Sequence, residues 1–173
     1  MSLKEDIRIL KLKNSNDERG MFCKIIPNEY VGQSSFKICE LFYSSSRKDV
    51  IRGMHFQKPP SAQAKLVTVI KGRILDVILD LRKNSKSYGN FVSFDLKEGD
   101  GKAILIPKGF AHGFLGKDSE NVVLYITDSK YSKEDEDGLR YDSFGFNWEI
   151  PNPIISKRDA AFSKYEDFIS PFN

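Results

Sequence analysis

The chain has 173 residues, of which 40% are hydrophobic and 29% are charged, a composition typical of one soluble globular domain that buries its own core. A formal net charge of +3, with no block of like charges, gives no indication of nucleic-acid binding. The N-terminal stretch MSLKEDIRILKLKNSNDERG lacks the apolar core of a secretory signal, and no apolar run is long enough to span a bilayer. A single cytoplasmic domain over residues 1–173, with no membrane partner, is therefore predicted.

Short runs rich in Val, Ile, Phe and Leu follow one another along the chain and predict β-strands. Turn-forming pairs such as Lys71-Gly72 separate most of them. This rhythm favours an all-β sandwich, jelly roll or barrel over alternating β and α units. The runs are GMFCKIIP (20–27), FKICELFYSSS (36–46), VIRGMHF (50–56), AKLVTVI (64–70), RILDVILDL (73–81), FVSFDL (91–96), KAILIP (102–107) and NVVLYITD (121–128).

The two cysteines, Cys23 and Cys39, lie within apolar strand-like runs. In a cytoplasmic protein this placement predicts buried free thiols rather than a disulfide.

The C-terminal part of the chain changes character. The segment SKEDEDGLRYDSFGFNWEIPN (132–152) is polar and then rich in turn residues, which predicts a long surface excursion of the kind that often covers a site. One short helix is predicted in PIISKRDAAFSKYEDF (153–168), where Ser156 is a candidate N-cap and Asp159 has the spacing of a capping box.

The stretch GKAILIPKGFAH (101–112) matches the second sequence motif of the cupin superfamily. It predicts a strand, a tight Pro-Gly turn and a return strand that points His112 into the mouth of a barrel. The first cupin motif, with its His-x-His pair, is absent, and the chain has only two histidines, whereas a cupin metal site needs three or four ligands. We therefore expect no metal and no cofactor, with the chemistry performed by side chains alone.

Six segments carry a resemblance to a known family: DERGMF (17–22), IRGMHFQ (51–57), SAQAKLVTVIKGRILDVILDLRKNSKSYG (61–89), ILIPKGFAHGF (104–114), LYITDSKY (124–131) and PIISKRDAAF (153–162). In order along the chain, these segments resemble the dTDP-4-dehydrorhamnose 3,5-epimerases of nucleotide-sugar metabolism. The resemblance implies a jelly-roll (cupin, double-stranded β-helix) barrel, usually a homodimer that exchanges N-terminal strands. The implied activity is inversion of C3, C5 or both in a nucleoside-diphosphate 4-keto-6-deoxyhexose through an enolate.

The resemblance also assigns catalytic roles residue by residue. His55 matches the base, Asp159 the carboxylate that holds the base imidazole, Lys65 the ammonium beside the enolate oxygen and Tyr125 the acid on the opposite face. Each has a plainer alternative, and for His55 it is a satisfied histidine of the core or of the pocket rim. Asp159 could serve the helix cap instead, and one carboxylate is not expected to serve both roles easily. Lys65 could be an exposed strand lysine, and Tyr125 could be packing.

The remaining matches concern substrate binding. Arg52 and Arg19 match arginines that contact the diphosphate, Arg19 from the partner subunit, and a planar guanidinium suits phosphate oxygens. His112 is expected near the sugar's C4 oxygen or packed beside it. Tyr131 is expected to stack on the substrate or to close the pocket.

The chain departs from the family pattern at the nucleotide end. In ELFYSSS, Glu40 and Phe42 replace the two amides of Gln-x-Asn-x-Ser-x-Ser, and in RGMFCK, Lys24 replaces a glutamate that contacts thymine. Because an ammonium only donates hydrogen bonds, we interpret Lys24 as favouring a nucleotide other than dTDP, with CDP as the first candidate. The alternative is that Lys24 points to solvent.

Two other functions compete with the epimerase hypothesis. A nucleotide-sugar ketoisomerase shares the fold, but that group does not carry this base, lysine and tyrosine as a unit. A non-catalytic sugar-nucleotide-binding jelly roll would not need His55, Asp159 and Tyr125 together.

Overall fold

The computed structural model describes residues 3–26 and 36–173 of the chain. None of the helices in these ranges is long and apolar enough to cross a membrane. The elements are α1 (Leu3–Asp6), β1 (Arg8–Lys11), β2 (Lys13–Asp17), β3 (Gly20–Lys24), β4 (Glu40–Arg47), β5 (Ile51–Gln57), β6 (Lys65–Lys71), β7 (Arg73–Asp80), β8 (Phe91–Lys97), β9 (Lys102–Ile106), β10 (Phe110–Gly116), β11 (Glu120–Thr127), β12 (Glu136–Gly138), α2 (Lys157–Ala160) and a 3₁₀ turn (Tyr165–Asp167).

Most strands belong to two five-stranded antiparallel sheets, and the predicted all-β jelly roll is confirmed. One sheet has the order β1-β9-β6-β11-β4 and the other the order β12-β5-β10-β7-β8, while β2 and β3 form a separate hairpin. Each predicted run contains a strand, although the second begins at Glu40 rather than Phe36. Pro27, the last residue of the first run, lies outside the described residues.

The main core lies between the two sheets. Strand β7 shows how the sequence builds it, because alternate residues face opposite sides of a strand. Ile74 and Ile78 pack toward β6, β9 and β11 of the other sheet, whereas Val77 and Leu79 join a second cluster on the outer face. Burying the apolar side chains of both faces stabilises the fold by about 25 cal/mol per Å² of surface removed from water.

The segment 132–152 is not the surface excursion that its polar start predicted. Leu139, Phe144 and Trp148 are buried in the second cluster, where they cover the outer face of the β12-β5-β10-β7-β8 sheet. Residues 136–138 form β12, which pairs with β5. The apolar side chains of this turn-rich segment form the layer that shields the outer face of the sheet from water.

The prediction of buried cysteines is wrong for Cys39, which is exposed, while Cys23 is half-buried; both are free thiols. Cys39 precedes β4, which lies at the edge of its sheet and leaves most of its side chains exposed. The predicted C-terminal helix is confirmed as the single turn α2, with Ser156 as its N-cap.

A bulge in β5 brings two site residues to one side of the strand. His112 on β10 pairs with His55 and Phe114 pairs with Arg52, so β5 contains one residue more than β10 between the two pairs. Residues three apart on a regular strand face opposite sides, and the extra residue cancels that alternation. Gly53 makes this possible because its φ is +138° and a Cβ there would lie 2.5 Å from the Cα of Gly113.

Candidate active site

A cavity of about 270 Å³ is lined by side chains from both sheets, including β12 at the edge of one of them, and from α2. It brings together most of the residues that the sequence assigns to chemistry and substrate. They are Arg52, His55, Lys65, His112, Tyr125 and Tyr131.

Asp159 lies directly behind His55. His55 Nε2 is 3.0 Å from Asp159 Oδ1, and the Gly53 backbone N–H donates to Asp159 Oδ2 at 3.2 Å. The helix cap uses a different part of the residue, since the Asp159 backbone N–H donates to Ser156 Oγ at 3.0 Å. The helix cap therefore uses the amide of Asp159, and the carboxylate lies against the imidazole, which is consistent with the expectation that one carboxylate does not serve both roles.

The surroundings of His55 and Asp159 determine the protonation state of each side chain. Burial would raise the pKa of Asp159, but its interactions with His55, the Gly53 amide and Ser156 hold that pKa well below its usual range. Burial lowers the pKa of His55, with Lys65 and Arg158 adding to the effect and Asp159 opposing it. Near pH 7 the pair therefore consists of an ionised carboxylate beside a neutral imidazole, the state that a general base requires.

Arg158 and Glu136 belong to this cavity although the sequence did not single them out. Arg158 donates through Nη1 to Glu136 Oε1 at 2.7 Å and through Nε to Asp159 Oδ1 at 3.1 Å, and its Nη2 lies 3.1 Å from His55 Nε2. The sequence did contain one indication for Arg158, because in SKRD it directly precedes Asp159, the carboxylate matched to the base. Glu136 gave no such signal, because only the pairing of β12 with β5 brings it here.

Lys65 begins β6 and projects into the cavity rather than into solvent. Burial lowers its pKa to about 8, against the opposing influence of the Glu136 carboxylate. The plain alternative of an exposed strand lysine is therefore wrong. An ammonium in this setting is charged at neutral pH and close to losing its proton.

Tyr125 approaches the cavity from β11, in the sheet opposite to that of His55. Burial raises the pKa of its phenol well above the usual range, so the hydroxyl keeps its proton. The ring stacks on Phe42 with centroids 5.0 Å apart and meets the His112 ring edge-on at 6.1 Å. Phe42, one of the departures from the family pattern, thus forms part of the wall behind the tyrosine.

His112 lies opposite His55 on the neighbouring strand. Its Nε2 is 2.6 Å from Asp76 Oδ1, and both side chains are buried. The prediction that the cupin-like motif directs His112 into the barrel is confirmed by this position. Asp76 was missed, although a carboxylate in the apolar run RILDVILDL signals a buried partner.

Arg52 and Tyr131 are each held by hydrogen bonds at the cavity wall. Arg52 donates to Ser46 Oγ at 2.8 Å and to the Ser45 carbonyl at 3.0 Å. The Tyr131 hydroxyl donates to Glu136 Oε2 at 2.8 Å. Both side chains remain more than one-third exposed, so a ligand can reach them.

Arg19 and Lys24 lie on the β2–β3 hairpin and do not line this cavity within one chain. Arg19 is exposed and pairs with Asp17, with 3.1 Å between Nε and Oδ1. The roles assigned to both residues stay predictions. Among residues 3–26 and 36–173, no group of three His, Cys, Asp or Glu side chains is placed to hold a metal ion.

Comparison with known proteins places this arrangement in a family. The family model described as dTDP-4-dehydrorhamnose 3,5-epimerase matches residues 3–167. The enzyme of that name from Shigella flexneri is 34% identical over 167 residues, which cover 94% of this chain and 92% of that protein.

Solved structures agree. The dTDP-4-dehydrorhamnose 3,5-epimerase from Sulfolobus tokodaii has a TM-score of 0.90 and 35% identity, and the match covers 100% of this chain and 97% of that one. The Legionella pneumophila dTDP-6-deoxy-D-glucose-3,5-epimerase, solved in complex with dTDP-4-keto-L-rhamnose, has a TM-score of 0.88 and 28% identity, covering 97% and 92%. With its fold, its cavity and a family match over nearly its whole length, this chain belongs to the dTDP-4-dehydrorhamnose 3,5-epimerase family.

Proposed function

We propose that this epimerase inverts C3, C5 or both in a nucleoside-diphosphate 4-keto-6-deoxyhexose, with the chain's own side chains as acid and base. The observation that carries the proposal is the placement of a neutral imidazole and a protonated phenol on opposite sheets of one cavity. His55 comes from β5 and Tyr125 from β11, so a sugar between them meets a base on one face and an acid on the other.

The proposed steps follow from the acidity that a ketone gives to neighbouring carbons. His55 takes the proton from C3 or C5, and the electrons of that C–H bond move to the C4 oxygen as an enolate. The Lys65 ammonium stabilises this oxygen where charge develops. Tyr125 then delivers its proton to the opposite face of the carbon, and exchange with water restores the starting protonation of both residues.

Asp159 supports the base without contacting the sugar. An ionised carboxylate against the imidazole orients the ring and stabilises the imidazolium that forms, as the aspartate does in a Ser-His-Asp triad. The low pKa of Asp159 supports this role. A non-catalytic binding protein would gain nothing from such a pair, which makes that alternative the weaker one.

The substrate's diphosphate is proposed to contact Arg52 within the cavity and Arg19 from a partner copy of the chain. Exposed apolar side chains favour such a homodimer, with Phe22 on the hairpin and Leu41 and Tyr43 on the edge strand β4 all more than half exposed. In this arrangement the hairpin of one copy reaches the cavity of the other. The choice of nucleotide through Lys24, and the cytoplasmic location, stay predictions.

Replacing His55 by Asn should remove the base while keeping the size of the side chain. We expect hydrogen exchange at C3 and C5 of a 4-keto-6-deoxy sugar nucleotide in D₂O, followed by NMR, to fall by more than ~10²-fold, the lower range for one acid–base group. Full exchange in the variant would remove His55 as the base. No exchange with any candidate sugar in the wild type would contradict the epimerase proposal itself.

Replacing Tyr125 by Phe deletes only the hydroxyl. The enolate should still form, so exchange at the reacting carbon persists while inverted product falls steeply. Tyr88→Phe, which removes an exposed phenol outside the cavity, is the matched control. A parallel loss of exchange and inversion, or the loss of neither, would show that another group supplies the proton.

The dependence of kcat/KM on pH should be bell-shaped. Below the lowered pKa of His55 the base is protonated, so activity rises as pH increases through that value. Above a pKa of about 8, Lys65 loses its charge and enolate stabilisation is lost, so activity falls as pH increases. In Lys65→Arg, the guanidinium keeps its charge at far higher pH and the alkaline limb should disappear. An unchanged alkaline limb in this variant would assign that ionisation to another group.

Mixed dimers can test whether Arg19 acts across subunits. In a purified heterodimer of His55→Asn and Arg19→Gln chains, an exchanged hairpin leaves one site with both defects and the other site intact, so roughly half of the wild-type activity should return. If Arg19 serves its own chain, the heterodimer should be no more active than the Arg19→Gln parent. Sedimentation of the wild-type chain as a monomer would contradict the dimer directly.

A further inference from the structure

One ring nitrogen of His55 has two neighbours that require opposite protonation states. Nε2 lies 3.0 Å from Asp159 Oδ1 and 3.1 Å from Arg158 Nη2. A carboxylate only accepts hydrogen bonds and a guanidinium only donates them. The contact with Asp159 is therefore favourable when Nε2 carries a proton, and the contact with Arg158 when Nε2 carries a lone pair.

The two contacts have opposite consequences for a base. When a neutral imidazole accepts from Arg158 at Nε2, its proton is on Nδ1 and neither nitrogen has a free lone pair. When Nε2–H donates to Asp159, the lone pair on Nδ1 is available. If Nε2 itself took the substrate proton, the guanidinium would still have to leave first. In every case, the Arg158 contact blocks proton removal.

Arg158 is held in this blocking position but is accessible from the cavity. Its Nη1 and Nε bind Glu136 and Asp159, and its guanidinium carbon lies 5.9 Å from the centre of the Phe162 ring. The side chain is nevertheless 52% exposed, and it lines the same cavity as Arg52. An anion that enters beside Arg52 would meet a second arginine, and phosphate oxygens compete well for a planar guanidinium.

We propose that Arg158 is a positioning residue that couples ligand binding to the base. In the free protein it occupies Nε2 of His55 and holds the imidazole without an available lone pair. A diphosphate bound at Arg52 draws the guanidinium away, and Nε2–H then forms its hydrogen bond to Asp159. The diphosphate step rests on the proposed function, whereas the antagonism between Arg158 and Asp159 at Nε2 exists in the free protein.

Other charged groups also face His55. Lys65 on β6 and Arg52 on β5 line its cavity, Glu136 on β12 binds Arg158, and Asp159 lies behind the ring. His112, opposite on β10, is bound to Asp76 on β7. Arg158 is adjacent to Asp159 on α2, and Arg52 shares β5 with His55, whereas Lys65, Glu136, His112 and Asp76 lie on four other strands. A substitution at Arg158 therefore leaves the backbone positions of those four residues intact.

The chain suits a direct test because it contains only two histidines. With ¹⁵N-histidine labelling, long-range ¹H–¹⁵N spectra report the tautomer of each ring, and His55→Asn assigns the two sets of signals. The wild type, Arg158→Gln, Arg158→Lys and the control Arg140→Gln are titrated with pH, alone and saturated with dTDP or with pyrophosphate. Arg140 carries the same charge but pairs with Asp142 outside the cavity.

In the ligand-free wild type and in Arg140→Gln, we expect neutral His55 to be protonated at Nδ1. Saturation with dTDP should move the proton to Nε2 and raise the pKa of His55. Arg158→Gln should show the Nε2–H form without ligand and no further change with it. Its affinity for dTDP by calorimetry should fall roughly tenfold, since a charge-assisted hydrogen bond to phosphate is lost. Arg158→Lys should restore part of the affinity but not the Nδ1–H form, because an ammonium lacks the fork that reaches Nε2.

The proposal is overturned if ligand-free wild type already has Nε2–H, or if Arg158→Gln has the tautomer and pKa of the wild type. It is also overturned if bound dTDP leaves the tautomer of the wild type unchanged. Failure of all nucleotides and of pyrophosphate to bind would instead contradict the proposed function, while the ligand-free comparison still decides the role of Arg158 at Nε2.

Discussion

A buried carboxylate organises this protein. Asp159 is only 2% exposed, and an ionised carboxylate at that depth is tolerated only when several donors compensate for its lost hydration. Two donors compensate, the Gly53 amide on β5 and the guanidinium of the neighbouring Arg158 on α2, and the His55 ring of β5 lies 3.0 Å from the same carboxylate. The single turn of α2 is thereby fixed against the bulge of β5, and His55, the bulge and the C-terminal segment form one unit.

The bulge in β5 is needed to place Arg52 and His55 on one side of the strand and the Gly53 amide against Asp159. Without the extra residue on β5, Arg52 and His55 would face opposite sides of the sheet, and only one could reach the cavity. With it, the Gly53 amide is also free to point at Asp159 rather than at β10. The geometry thus depends on two glycines that approach closely, Gly53 and Gly113, and a side chain at either position would separate the strands.

Sequence reasoning recovered the strands and the central residues for different physical reasons. The runs of branched and aromatic residues predict strands because alternation and turn punctuation are local properties. His55, Lys65 and Tyr125 were assigned by resemblance, and the cavity brings all three together. Glu136 and Arg158 were missed because their importance arises only when β12 pairs with β5 and α2 docks behind it. The packing of Phe144 and Trp148 on the outer face of the β12-β5-β10-β7-β8 sheet was missed for a similar reason, because a turn-rich sequence does not indicate which sheet face it packs against.

The departures from the family pattern lie on the edge strand β4 and on the β2–β3 hairpin. Glu40 accepts a hydrogen bond from the Tyr131 backbone amide, and Phe42 stacks on Tyr125, so both substitutions rebuild the wall of the cavity without touching the His55–Asp159 pair. Lys24 lies on the hairpin, which belongs to neither sheet. The proposed base and acid, His55 and Tyr125, project from strands paired on both sides, where packing fixes their positions. Side chains at the departing positions project from an edge strand and a hairpin, which tolerate replacement. The departures from the family pattern therefore lie outside the His55–Asp159 pair, and Phe42 is the one that contacts the proposed acid.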